Sequence, residues 1–468
     1  MIKPVLLWSD VLIYLLVFSV LVFFALLKGN VQSRERWLRV FQSPVATFSF
    51  LIILFYILIA LLDSLHYRRA LPVSESMDTA VKQEVHYSNE VESLLDWILS
   101  DLKNSHEKTY SAPLALYSFA KENQQDAEGR TVRVFPRLRH GGAHLQEASE
   151  KGRDILWHSL RGIAYGLTAG VFLILVLWHI QRRHFPDSVF PWRTLYLTVL
   201  GLSLMVSYIL VMSTQYHVLG TDKAGTDVMY QGIKAVRTGV LIGSLATLLT
   251  LPFAIGLGIA AGYFKGWVDD VVQFVYTTLS SIPDILLIAA AVLVLDVYIQ
   301  ARAEDFPLLI QRSDFKFLTL CFILGITSWT GLCRLLRAET LKVSQLDYVQ
   351  AATAFGVSHG GIIFRHILPN IMHLVLISVV LNFSGFVMAE AVLSYIGVGV
   401  DSSMNSWGNM INAARQELSR DPMVWWSITS AFFWMFLLVL AANLFADRVR
   451  EAFDPRVYHQ TKKHGISK

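Results

Sequence analysis

DYVQAATAFGVSHGGIIFRHILPN, residues 347–370, lies between two long apolar runs, so it is a loop between membrane spans. It does not read as an ordinary loop. Tyr348, Ala352 and Phe355 recur at helical spacing, which predicts a short helix over DYVQAATAF. Asp347 is its expected N-cap and Gly356 its expected C-cap. Ser358 then caps a second helix, which Pro369 kinks or ends before the next span. Ala351, Ala352 and Gly356 keep one side of this helix–turn–helix thin, so that another surface approaches it closely.

The rest of the chain sets the context. Hydrophobic residues make up 54% and charged residues 16% of the 468, with a mean hydropathy of +0.47. That composition belongs to membrane proteins rather than soluble ones. A net charge of +4 over this length does not point to nucleic acid. The apolar runs, in order, are 11–27, 46–62, 160–180, 195–213, 237–262, 273–298, 317–335, 371–396 and 424–446. Most approach or exceed the roughly 20 residues that cross a bilayer. The expected fold is an all-α polytopic bundle of about nine spans. Cys321 and Cys333 lie in one apolar run without metal-ligand spacing and read as small apolar fillers.

Basic residues orient the spans. Arg34, Arg36 and Arg39 follow the first run, Arg182 and Arg183 the third, Lys265 the fifth, Arg334, Arg337, Lys342 and Arg365 the seventh, and Arg448 and Arg450 the last. If the spans alternate, all fall on one side, which the positive-inside rule makes cytoplasmic. The 347–370 loop is then cytoplasmic and the N-terminus outside. The first run lacks a small-residue cleavage site and reads as a retained span. Residues 64–156 are polar and expected outside. VESLLDWILSDL (Val91 to Leu102) has helical periodicity, and GRTVRVFPRLRH (Gly129 to His140) is basic and reads as extended or flexible. The stretch is either a docking surface for a binding protein or a solvated insertion packed on the membrane part.

Motifs now carry a resemblance. Gln350, Ala351, Ala352 and Gly356, with Leu368 and Pro369, resemble the EAA loop of ABC-importer permeases. Gln350 stands where that family usually has Glu, and His366 where it has Ile. HVLGTDKAGTD (His217 to Asp227) resembles the HPLGTDxxGRD signature of the oligopeptide and dipeptide branch, with Thr226 in place of Arg. AGYFKGWVDD (Ala261 to Asp270), SSIPDILL (Ser280 to Leu287), AEAVLSYIGVGV (Ala389 to Val400) followed by SWG (Ser406 to Gly408), and NLFADRVREAFDPR (Asn443 to Arg456) are similar to further motifs of the branch, in its order. Asp222 and Gly225 predict a tight turn.

The resemblance implies a permease core over 217–456, preceded by spans at 1–63, the insertion 64–156 and a membrane hairpin at 157–216, and followed by a cytoplasmic tail, 457–468. The core's first span is either 46–62 or 195–213, and SPVATFSFLIILFYILIA (Ser43 to Ala60) looks more like it. The resemblance also implies an ATPase-coupling loop made of Asp347, Tyr348, Gln350, Ala351, Ala352, Gly356, Leu368 and Pro369. The implied partners are a second homologous permease, a pair of ABC ATPase subunits that hold ATP and Mg, an extracytoplasmic substrate-binding protein, and membrane lipid. The implied location is the bacterial inner membrane.

Within the spans, Gly239/Gly243 and Gly258/Gly262 form GxxxG pairs suited to close helix packing. Glu390 is a carboxylate deep in an apolar run, expected to pair across a permease–permease interface or to contact substrate. Asn382 and Ser384 are candidate path-facing groups on the same helix. Trp407, Trp425 and Trp426 read as an aromatic belt at the outer boundary. No phosphate loop of the G-x-x-x-x-G-K-[ST] type, no HExxH and no G-x-S-x-G occurs, so no catalytic, cofactor or metal site is expected in this chain. The rival reading is an ATP-independent membrane protein, an ion-coupled carrier or an anchored sensor. A carrier calls for paired ionisable groups near mid-bilayer, where Glu390 stands alone in the sequence pattern.

Overall fold

The computed structural model of the chain describes residues 2–27, 31–70, 87–88, 90–125, 130–184, 188–302, 304, 306 and 308–453. In chain order the elements begin with strand β1 (Ile2–Val5) and helices α1 (Trp8–Leu27), α2 (Val31–Gln42) and α3 (Pro44–Asp63). A polar segment follows with β2 (His66–Arg69), β3 (Glu92–Ser93), α4 (Leu94–Ile98), α5 (Ser100–Asn104), β4 (Glu122–Gln125) and β5 (Thr131–Val134). Then come α6 (Lys151–His184), α7 (Trp192–Ser213), α8 (Val228–Phe264), α9 (Gly266–Ser280), α10 (Asp284–Ala301), α11 (Leu309–Thr327) and α12 (Thr330–Val343). The chain continues through α13 (Asp347–Ala354), α14 (His359–Ile362), a π-helical turn (Ile363–Ile367), α15 (Leu368–Tyr395), α16 (Trp407–Ala414) and α17 (Trp426–Phe453).

Eight helical stretches among the described residues are long and apolar enough to cross a membrane: 44–63, 148–184, 192–213, 228–264, 284–301, 309–343, 359–395 and 426–453. The first expected span is present as α1, Trp8–Leu27. The run 273–298 is not one span. It breaks at Ser281–Pro283 into α9 and α10, because Pro283 has no N–H for a continuing ladder and restricts the residue before it. VESLLDWILSDL is also divided, into β3, α4 and α5, with Ser93 and Asp96 closing a reciprocal capping box. The basic stretch after it is extended, as β5 paired antiparallel to β4.

Two compact units form, and their limits fall inside α1, α3, α8 and α17. One unit holds 1–16, 54–238 and 404–436. In it β1, β2 and β3 make an antiparallel sheet in that order. Helices α6 and α7 form a tight hairpin. Gly162, Gly166 and Gly170 are the buried residues of α6, and Cβ atoms at Gly162 and Gly166 would lie 3.1 and 2.8 Å from the Cα atoms of Tyr208 and Leu204. Such contact is the small-residue packing that membrane helices use. An aromatic knot joins α3, α8, α16 and α17: Trp407 Nε1 donates to Gly232 O at 3.1 Å, and Tyr56 OH donates to Trp434 O at 2.7 Å.

The second unit holds 17–53, 239–403 and 437–468. Its core cluster draws on α8, α9, α12, α13, the π turn and α15. Gly258 and Gly262 seat α8 against α12, with Cβ positions 2.9 Å from Cys333 O and 2.6 Å from Thr340 Cβ. Gly243 likewise seats against Phe383 of α15. Cys321 and Cys333 are buried and free of any disulfide. The final Asp-Pro-Arg of the C-terminal motif and the tail 457–468 lie outside the described residues.

Candidate functional site

The loop 347–370 is a helical hairpin rooted in the second unit. Asp347 is in the first turn of α13 rather than at its N-cap. The cap position is Leu346, which has extended backbone and gives no side-chain bond. Asp347 still favours the positive end of the helix dipole. At the other end Gly356 has φ +74°, Gly356 N–H donates to Thr353 O, and Val357 N–H donates to Ala352 O, both at 3.1 Å. This pair of bonds is a Schellman motif, and the left-handed residue it needs is glycine. Ser358 caps α14 by accepting from Gly361 N–H at 3.3 Å. Pro369 does not break the chain into a new helix. The π turn at Ile363–Ile367 precedes it, and a wider turn accommodates a residue that lacks an N–H and crowds the carbonyl of residue i−4.

The hairpin has an inner and an outer face. Val349, Ile362 and Ile367 are buried in the unit's core. Ala352 packs half-buried with them. The expectation that Ala351, Ala352 and Gly356 share one thin side is therefore corrected: Ala352 points inward, while Ala351 and Gly356 are exposed. The outer face is apolar. Phe355 is 87% exposed and Phe364 70% exposed, and Leu346, Tyr348 and Val357 are exposed beside them. Tyr348 OH accepts from Asn370 Nδ2 at 2.9 Å, which ties α13 to the start of α15. Gln350 is exposed, and its Nε2 donates to Gln345 O at 3.1 Å. Leu368 is half-buried against the core, and Pro369 is exposed.

Below the hairpin, Arg337 of α12 grips Asp269 of α9 through both Nε and Nη2, the latter bond 2.6 Å long. This fork holds Asp269 below the usual carboxylate range. Asp269 belongs to the GWVDD motif, so that motif serves to fix α9 on α12.

In the first unit the His217–Asp227 motif is a folded loop at the head of α8. Asp222 closes the turn: Gly225 N–H donates to its carbonyl at 3.0 Å, and Thr226 N–H to its Oδ1 at 2.9 Å. Gly225 has φ +76°, and a Cβ there would lie 1.8 Å from Glu107 O. Asp227 Oδ1 accepts from Met229 and Tyr230 N–H, capping α8, while its Oδ2 holds His217 Nδ1 at 2.8 Å. His217 Nε2 faces Glu107 Oε1 at 3.4 Å. Glu107 also accepts from the backbone N–H groups of Arg139, His140 and Gly141. Trp426 Nε1 donates to Thr221 O at 2.9 Å. Trp407 and Trp426 are therefore packed inside the protein and do not form a belt, and only Trp425 is exposed.

Residues 254–459 match the sequence profile of the family described as binding-protein-dependent transport system inner membrane component. Residues 254–459 are thus similar to the inner membrane permease components of binding-protein-dependent transport systems. A dipeptide transport system permease protein of Alkalihalophilus pseudofirmus is 26% identical over 299 residues, covering 58% of this chain and 91% of that protein. A glutathione transport system permease protein of Pectobacterium atrosepticum is 29% identical over 241 residues, 52% of this chain and 73% of its own length. A peptidoglycan transport system permease protein of Agrobacterium fabrum is 33% identical over 240 residues, 51% and 57%. The permease is a multi-pass protein of the bacterial inner membrane.

The residues expected to face a path or an interface lie on α15. Glu390 is 1% exposed and accepts from Ser394 Oγ at 2.7 Å. Ser384 is buried and donates to Asn443 Oδ1 of α17 at 2.9 Å. Both are buried within their own chain. Asn382 is half-buried.

Sequence reading missed a buried charge cluster at the head of α8. Tyr230, Lys234 and Arg237 recur at i, i+4 and i+7 and share one face. Arg237 Nη2 meets Asp10 Oδ1 and Ser9 Oγ, both at 2.7 Å, and Asp10 Oδ2 meets His66 Nδ1 at 2.9 Å. Lys234 Nζ meets Asp63 and, at 2.9 Å, Asp96. Tyr230 OH donates to Asp96 at 2.8 Å. Burial opposes the charge on Asp96, but Lys234 and the hydrogen bonds overcome it and hold Asp96 at about 2. The available signal was the polar stripe in YQGIKAVR, residues 230–237, within an otherwise apolar helix.

The His217 link has a pH signature. Burial disfavours its charge, yet the bonds to Asp227 and Glu107 outweigh burial and raise His217 to about 9. Glu107, opposed by burial but bonded to His217 and three backbone N–H groups, falls to about 2. A histidine with a raised folded value contributes stability in full below its unfolded value of roughly 6.5 and loses it as pH rises through about 9. Amide-exchange protection factors at Arg139–Gly141 in the purified permease are thus expected to hold up to neutral pH and to fall between pH 7 and 10. Unchanged protection across that range would mean that His217 is uncharged in the link.

Proposed function

We propose that this permease is one of two homologous membrane subunits of an ATP-driven importer, and that its cargo is peptides or similar small solutes handed over by a soluble binding protein. The named relatives handle dipeptides, glutathione and peptidoglycan, which supports a peptide-like solute. The family match supports this reading and not an ATP-independent carrier. ATP and Mg belong to separate ATPase subunits, in line with the missing phosphate loop.

The observation that carries the mechanism is the outer face of the 347–370 hairpin. Phe355, Val357, Tyr348 and Phe364 are exposed beside the small Ala351 and Gly356. That is an aromatic knob with a thin flank, suited to a groove in an ATPase subunit. Val349, Ile362 and Ile367 tie the hairpin to α9, α12 and α15, so a push on its tip moves packed helices as a body. Gln350 contributes a neutral hydrogen bond at the rim, worth roughly 0.5–1.5 kcal/mol. The aromatic knot around Gly232 favours α3 as the first core span, with the α6–α7 hairpin an addition.

The test is a photo-crosslinking residue in place of Val357 in the assembled complex. The expected adduct is with the ATPase subunit, and it should weaken when nucleotide is removed. An adduct with any other protein, or with none, would refute the docking role of the hairpin.

A further inference from the structure

We propose that the β4–β5 ribbon is the landing surface for the soluble binding protein, and that it receives an acidic rim of that protein. The inference rests on the importer reading above and names the place where its extracytoplasmic partner binds.

Strands β4 and β5 pair over four residues each, from Glu122↔Val134 to Gln125↔Thr131. Six of the eight strand residues are exposed and the other two half-buried. A two-stranded ribbon is marginal by itself in water, so a ribbon standing clear of a core is suited to contact with another protein. Its exposed charge has one sign among the described residues. Lys121, Arg133 and Arg139 are exposed, and Glu122 is neutralised by Lys108 at 2.7 Å. Asp126 and Glu128 lie between the two strands in sequence, outside the described residues. Lys121 Nζ sits 5.4 Å from the centre of the exposed Phe135 ring. A cation on an aromatic platform is a form of anchor that interfaces favour.

Position adds a second argument. The charge rule puts residues 64–156 on the side where a binding protein delivers its cargo. The base of the ribbon is also wired to the head of α8. Backbone N–H groups of Arg139, His140 and Gly141 hold Glu107, Glu107 faces His217, His217 holds Asp227, and Asp227 caps α8. A partner landing on the ribbon thus presses on an unbroken set of polar contacts that ends at α8.

The experiment uses the full complex in nanodiscs and the binding protein that supports its uptake in proteoliposomes. The triple variant Lys121→Glu, Arg133→Glu, Arg139→Glu is expected to raise the Kd for that binding protein at least tenfold. Wild-type binding should weaken with added salt, and the ATPase rate without binding protein should stay unchanged. Arg193→Glu, on α7 and away from the ribbon, should leave the Kd alone. An unchanged Kd in the triple variant overturns the assignment, and so does an equal loss from Arg193→Glu. A variant that keeps its Kd but loses adhesion to phosphatidylglycerol vesicles shows that the ribbon meets lipid, which also overturns it. Uptake by the wild type with no soluble protein at all overturns the importer reading and this one together.

Discussion

Phe355→Asp is expected to abolish uptake while the permease still reaches the membrane at its normal level. Phe355 makes little contribution to the fold, since 87% of it is exposed. Its removal therefore costs the protein little and its partner a great deal. An aromatic anchor at the centre of an interface is worth about 2 kcal/mol or more, ~30-fold in association, and a carboxylate in the same groove adds a desolvation penalty. Phe355→Ala should show the smaller of the two losses. Gly356→Trp should also fail, for a different reason. Space around Gly356 is open within its own chain, but its φ of +74° strains any L side chain by about 1–2 kcal/mol, and the indole then obstructs the approach of the ATPase. Ala352→Trp is no test of docking, because Ala352 packs inward and the indole would disrupt the hairpin's own core. Uptake and ATPase co-purification at matched membrane levels measure these effects. Normal transport by Phe355→Ala would remove the hairpin tip from the docking surface.

The second large effect concerns Lys234. Lys234→Met is expected to destabilise the unit that holds residues 54–238 by about 3–5 kcal/mol, the usual result of removing one member of a buried ion pair. Asp63 and Asp96 are almost fully buried and would be left without their cation. Combining Lys234→Met with Asp96→Asn should recover part of the loss, because one stranded charge is removed with its partner. Thermal unfolding of the purified permease, followed by near-ultraviolet dichroism, gives the ordering. A single variant that melts like the wild type would show that water reaches the cluster and screens it.

These two regions differ in how far the sequence announced them. The hairpin was readable because its signals are local. The Ser358 cap and the glycine after α13 act within a turn of the chain, and both appear where periodicity and cap chemistry put them. The inward turn of Ala352 was not readable, since a short helix shows its period in sequence but not which side its neighbours cover. The charge cluster was hidden for another reason. Arg237 and Asp10 are 227 positions apart, and no local rule links a cation in a membrane helix to a carboxylate at the opposite end of the sequence. The tryptophans illustrate a third limit. Composition suggests a belt for any Trp near a span end, but Trp407 and Trp426 each found a backbone carbonyl and were drawn inside. The apolar run 273–298 reads as one span, and only the structure shows that the proline of Ser-Ile-Pro divides it between α9 and α10.

The α6–α7 hairpin has a bearing on biogenesis. Its two helices meet backbone to backbone at Gly162 and Gly166 and seat the Leu200 and Ser203 side chains at Gly170, and most of α6's other residues are exposed or half-buried. A pair of helices that satisfy one another in this way need not wait for the remainder of the chain. As α7 leaves the ribosome, the hairpin can enter the bilayer already zipped, before any of α8 has been made. Its outward positions are largely exposed within the chain, so exchanges among aliphatic residues there should cost the hairpin little while the three glycines hold. A hairpin of that kind can be gained or lost in descent as one piece, with the neighbouring helices left to their own partners.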